Sequence, residues 1–150
     1  MSTPAERQEN HRTVDQLITL AAKGDPSAER YLRMIAGAAR TLDDLVDADH
    51  PVPQGEVVLA FAGLLVGLNH NAFFLKHREA LVALHQMALN AWLDANEWEK
   101  SPDPDRRIYA HVLRDAVNEI LPAVAYLTGG WEHMRAVSRQ TRELFKKEIT

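Results

Sequence analysis

Apolar residues recur at spacings of three and four along almost the whole chain, the pattern of amphipathic α-helices. A first helix is predicted over residues 4 to 23, where Leu17, Ile18, Leu20 and Ala21 keep helical spacing until Gly24-Asp25-Pro26 stops it. Pro26 opens a second, to about residue 48, with Tyr31, Leu32, Ile35, Ala38, Leu42, Leu45 and Val46 on one stripe and His50-Pro51-Val52-Pro53 as its stop. The third, 54 to 71, is apolar on every side through VVLAFAGLLVGL, residues 57 to 68, and is expected to be a buried core helix. These twelve residues end at Asn69, His70 and Asn71, short of the about 20 that a membrane span needs. Gly63 and Gly67 lie one turn apart on this helix, a spacing that lets another backbone come close.

A fourth helix, about 73 to 99, sets Leu81, Leu84, Ala88, Ala91, Trp92 and Ala95 on one face. The loop KSPDPD follows, where Asp103 or Asp105 can cap a fifth helix with Pro104 in its first turn. Along that helix Tyr109, Leu113, Val117, Ile120, Val124 and Leu127 repeat until Thr128-Gly129-Gly130, and a more polar helix follows from about 131 to 147. Pro122 removes a backbone donor and crowds the preceding turn, which predicts a kink or break near Glu119. No strand-like alternation, repeat or linker interrupts the series. The expected fold is all-α, a single-domain antiparallel bundle of five to six helices spanning residues 1–150.

Composition narrows the function classes. A net charge of -4 argues against nucleic acid as a partner, and the absence of cysteine excludes disulfides, thiolate metal sites and cysteine nucleophiles. The N-terminal MSTPAERQENHR has no apolar core and does not read as a secretory signal, so a cytoplasmic protein without membrane association is expected.

Within that frame one segment is unbalanced. TLDDLVDADHPVPQGE, residues 41 to 56, carries four aspartates and a glutamate with no lysine or arginine. Asp43, Asp44 and Asp47 fall in the last turns of the second helix, where the macrodipole is negative and each carboxylate costs on the order of 0.3 to 1 kcal/mol. Arg40 reaches Asp43 or Asp44, but no other lysine or arginine follows until Lys76. A positive partner is therefore expected from elsewhere: an arginine of another helix, or a hard divalent cation such as Mg²⁺ or Mn²⁺ held between carboxylates one turn apart. Solvation alone is the plain alternative.

Asp43-Asp44-Leu45-Val46-Asp47 resembles the DDxxD motif with which class I isoprenoid synthases hold Mg²⁺ against a substrate diphosphate inside an all-helical fold. That resemblance implies a phosphorylated ligand at Asp43, Asp44 and Asp47. Those enzymes are about twice as long and carry a second metal motif; the nearest counterpart here, RDAVNE, has different spacing. The order of DDLVD, NHNAFF, AWLDAN, HVLR and a GG turn also resembles small all-helical proteins of phages and prophages, for which no activity is implied.

The fifth helix offers a second polar face, with His111, Arg114, Asp115, Asn118 and Glu119 as a candidate metal or ligand surface. Its simplest alternative is a solvated face. Asn71 is a candidate ligand-binding residue, with satisfaction of a helix end as the alternative, and His85 reads as a hydrogen-bonded core histidine. The last helix is basic through Arg135, Arg139, Arg142, Lys146 and Lys147, but Glu132, Glu143 and Glu148 interleave. No phosphate loop, nucleophile elbow, H-E-x-x-H pair or EF-hand loop is present.

Two function classes follow. One is a small protein that binds a divalent cation and a phosphorylated ligand through the aspartate cluster. The other is a non-enzymatic, phage-type interaction or structural protein acting as a homodimer or against a protein partner. If the second and fifth helices are neighbours, Arg114 is expected to face Asp43 or Asp47 in the absence of metal.

Overall fold

The computed structural model describes residues 3 to 146, without the side chains of residues 7 and 9–12. Lys147 and Glu148, assigned above to the basic last helix, lie outside the described residues. The fold is all-α, and no strand occurs among the described residues.

Helix α1, Pro4–Ala22, starts at a capping box in which Thr3 and Glu6 each bond the other's backbone. Helix α2, Pro26–Asp47, is capped by Asp25, whose carboxylate accepts from the amides of Ser27 and Ala28. Helix α3, Gln54–Ala62, continues into a π-helical turn at Gly63–Gly67 and a 3₁₀ turn at Leu68–His70. The segment expected as one helix over 73 to 99 is two: α4, Ala72–Lys76, and α5, Arg78–Trp98, broken at His77.

Helix α6, Pro104–Arg114, takes its cap from Asp103 rather than Asp105. The break foreseen from Pro122 appears as a 3₁₀ turn at Asp115–Glu119, after which α7, Ile120–Phe145, holds Pro122 in its first turn. Gly130 interrupts α7 with φ 83° and ψ -171°, so the two stretches either side of the Gly-Gly pair point separately, as the pattern predicts. Gly129 has its own reason to lack a side chain, because a Cβ there would lie 2.6 Å from the His133 ring.

The core draws mainly on α1, α2, α4 and α7. Leu17, Ile18 and Ala21 of α1 meet Tyr31 and Leu32 of α2, Phe73 and Phe74 of α4, and Ile120, Val124 and Val137 of α7. Tyr31 is its centre: it stacks on Phe74 and His85 at centroid distances of 6.0 and 5.9 Å, and its hydroxyl lies 2.7 Å from His85 Nε2. His85 is thus the hydrogen-bonded histidine the pattern anticipates. Thr128 ties α7 to the end of α1 by donating to the Ala21 carbonyl at 2.7 Å.

Helix α3 is where expectation fails. None of its residues, nor any of the π turn, is buried. Its half-covered line is Val57, Ala60, Gly63 and Gly67, mostly the smallest residues it has. Those glycines receive the Met34 side chain of α2 rather than another backbone: a Cβ at Gly67 would lie 2.6 Å from Met34 Sδ. The larger side chains face outward, with Leu59, Phe61 and Leu65 at 73, 60 and 67% exposure. An all-apolar helix carries no periodic signal of which side turns inward, and here the side that packs most closely chooses it. No helix among the described residues is long and apolar enough to cross a membrane.

Candidate functional site

The end of α2 meets α5 and α6 through one guanidinium. Arg114, at the C-terminus of α6, donates through Nη1 to Asp43 Oδ1 at 3.2 Å, and through Nη2 to Asn96 Oδ1 at 2.9 Å and Glu99 Oε2 at 2.5 Å. Trp92 donates its indole N–H to the same Asp43 oxygen at 3.0 Å. The positive partner that the local sequence lacks therefore comes from α6. A planar fork of five donors suits this task, since a lysine could not serve three acceptors on two helices in fixed directions.

The other two aspartates of the cluster are placed differently. Asp44 lies 3.7 Å from His50 Nε2, while His50 Nδ1 lies 2.7 Å from Asp49. Asp47 is exposed, and its carboxyl is held above the usual carboxylate range by desolvation and then by the charge of Asp43, with Arg114 pulling the other way. Among the described residues no three His, Asp or Glu side chains form a group that could hold a metal ion.

The second candidate face divides in two. Asp115 and Asn118, on the 3₁₀ turn, line a cavity of about 590 Å³ between α1, α2, α5 and α7, whose wall also carries Asp43 and Arg114. Burial raises the Asp115 carboxyl above its ordinary range, against the pull of His111, Arg114 and Arg142. Glu119 is drawn off to form a two-bond pair with Arg142 of α7, its Oε2 accepting from Nη2 at 3.0 Å. His111 is exposed. The sequence thus names residues that do converge, Asp43, Arg114, Asp115 and Asn118, together with two, His111 and Glu119, that have other surroundings.

Asn71 is buried and committed to the fold. Its Oδ1 accepts from the Phe74 amide at 2.8 Å as the cap of α4, and its Nδ2 donates to the Ser27 carbonyl at 2.9 Å. Ser27 returns the tie by accepting from the Phe73 amide at 2.9 Å. These contacts are the helix-end alternative given above, extended across to α2.

A second cavity, about 410 Å³, lies between α2, α3 and α5 and is apolar, with Leu42, Leu45, Phe61, Leu64, Ala88 and Leu89 in its wall. It shares Ile35, Ala39, Trp92, Val117 and Ile120 with the first, so those side chains are a partition between a polar groove and an apolar one. The apolar groove runs directly onto the exposed face of α3. Its signal in the sequence is the run from Val57 to Leu68, whose all-round apolarity reads as core.

Comparisons of the chain with protein-family models, with curated proteins and with solved structures find no match. Fold and site define the chain by class: an all-α protein with an aspartate cluster, one member of which Arg114 pairs, on one side of a partition and an open apolar face on the other.

Proposed function

We propose that the chain is a non-enzymatic interaction protein whose working surface is the apolar face of α3, its π turn and the adjoining groove. The observation that carries this reading is the orientation of α3, with its glycines on Met34 while Val58, Leu59, Phe61, Leu65 and Val66 are 57 to 73% exposed. A helix packed for the benefit of its own chain alone would bury its largest apolar side chains first, at about 1.5–3 kcal/mol each. Contiguous exposed apolar surface of this kind marks an interaction site. The competing reading, a cation and phosphorylated ligand at Asp43, Asp44 and Asp47, loses its main motive, because Arg114 already supplies the missing positive charge at Asp43.

The absence of cysteine makes a clean probe available. A Leu65→Cys variant, diluted until it sediments as a single chain, is expected to react with a maleimide as fast as the denatured chain does. Leu81→Cys, at a site with 0% exposure, is the protected control. A Leu65→Cys thiol as slow as that control in single chains would mean that α3 packs into its own core, and the reading would fall.

A further inference from the structure

Resting on that reading, we propose that the partner on this face is a second copy of the same chain, with α3 and the π turn of each copy laid against the other along the groove between α2, α3 and α5.

Area is the first argument. The chain exposes 9830 Å². A compact monomer of 16.9 kDa exposes about 7,700 Å², leaving an excess of roughly 2,100 Å² per chain. Two copies covering that excess would bury about 4,200 Å² in total, within the range of obligate homodimers and above that of most transient complexes. Part of that exposure lies on α3, which contributes no buried residue, and along the groove between α2, α3 and α5.

Charge selects the occupant. A two-fold interface sets a patch against itself, so any net charge on it meets its own like. From Val57 to Leu75 the chain has no Asp, Glu, Lys or Arg, although the whole protein carries a formal charge of -4. The face is neutral where self-apposition requires it. In sequence the run is bordered by Asp44, Asp47, Asp49 and Glu56 on one side and by Lys76 and Arg78 on the other, with no lysine or arginine between Arg40 and Lys76. The run itself carries no lysine or arginine of the kind that anionic lipid headgroups attract, so a membrane surface is the poorer fit. Packing supplies the third argument: Phe61 and Leu64 stand at the groove mouth, 60 and 41% exposed, beside Leu45 and Leu89 at 45 and 52%. Aromatic and aliphatic side chains so placed suit an interface core from which charged residues are absent.

Sedimentation equilibrium of the wild type over a wide concentration range is the test, with the thiol of Leu65→Cys as the second readout. The expected species has twice the mass of the 16.9 kDa chain and dissociates on dilution, and the thiol is protected in the dimer and exposed on dissociation. A Leu59→Glu, Leu65→Glu variant is expected to sediment as a single chain with its helical circular dichroism retained, while Ile108→Glu, on α6, stays dimeric. A wild type that remains one chain at every concentration overturns the second copy. In that case a reactive thiol leaves the interaction reading standing for a different partner, and a slow thiol removes both. A dimer whose thiol stays reactive, or which Ile108→Glu dissociates, places the interface elsewhere and also overturns the proposal. Flotation of the wild type with neutral phosphatidylcholine vesicles in place of dimerisation would make the occupant a lipid surface.

Discussion

Arg114 and Asp43 stand 71 residues apart in sequence and 3.2 Å apart in space, and their contact fastens the end of α2 to α6. Arg114 also holds Asn96 and Glu99 of the α5 end, so a single side chain gathers three segments. Replacing it by Met keeps much of its apolar stem and removes every donor. The loss is expected to be about 1–2 kcal/mol, set by charge-assisted hydrogen bonds but reduced because Asp43 and Glu99 are 41 and 45% exposed. Arg114→Lys should recover only part of it, for want of the fork. Urea midpoints at unchanged slope are the measure; a Met variant as stable as wild type would show that the tie contributes nothing net.

The same pair makes a statement about cations. With Arg114 in place, the melting temperature of the wild type is expected to be the same with and without Mg²⁺ or Mn²⁺. In Arg114→Met the aspartates lose their neutralising partner, and a divalent ion that binds only the native chain then stabilises it by mass action. A wild-type melting temperature that rises with Mn²⁺, and ceases to do so in Asp43→Ala, Asp47→Ala, would restore the cation reading.

What the sequence discloses here follows the range of the forces concerned. Helix starts are legible because Asp25 and Asp103 cap with their own side chains within three residues, and the Pro122 and Gly130 breaks are equally local. The break at His77 is not, since no Gly or Pro lies between Asn71 and Trp98; it accompanies the tether of Asn71 and Phe73 to Ser27, 44 and 46 residues away. The need of Asp43 for a positive partner is readable as a local charge deficit, and Arg114 as a cation on a second helix. The shares taken by Trp92, Asn96 and Glu99 depend on tertiary geometry that no periodicity encodes. The exposure of α3 escapes for a different reason: apolarity states a preference for burial, and whether a neighbour exists to bury it is a property of the assembled surface.

Two glycines should respond oppositely to alanine. Gly130 has φ 83° and ψ -171°, a region open in practice only to glycine, so Gly130→Ala is expected to cost about 1–3 kcal/mol however much room surrounds it. Gly37 lies inside α2 with nothing within 4 Å of an added Cβ, and Gly37→Ala is expected to stabilise by about 0.5–1 kcal/mol through helix propensity alone. Denaturant midpoints of the two variants decide this. Equal shifts in one direction would contradict the backbone assignment at Gly130.

The Tyr31–His85 pair makes stability depend on pH in a definite sense. Burial pushes the Tyr31 phenol up, so it remains an O–H, hydrogen-bonded with His85 Nε2 across 2.7 Å. Burial also holds the His85 imidazole below its ordinary value of 6.5, because the charged ring would lose solvation between Tyr31 and Phe74. Between the folded value and 6.5 the unfolded chain therefore binds more protons than the folded one, and stability rises with pH across that window. The contribution of His85 is complete above 6.5 and is lost as pH falls from there through the lower folded value. His77, lowered by burial and then by Lys76, adds a slope of the same sign. His85→Gln offers Tyr31 an amide oxygen in place of the ring nitrogen and cannot titrate, so its unfolding free energy should fall less steeply below pH 6.5, with the residual slope coming from His77. Tyr31→Phe at pH 8 should cost about 1–2 kcal/mol, the worth of a half-buried hydrogen bond whose remaining partner is left without it. Parallel slopes for wild type and His85→Gln would show that the imidazole titrates as freely in the folded chain as in the unfolded one.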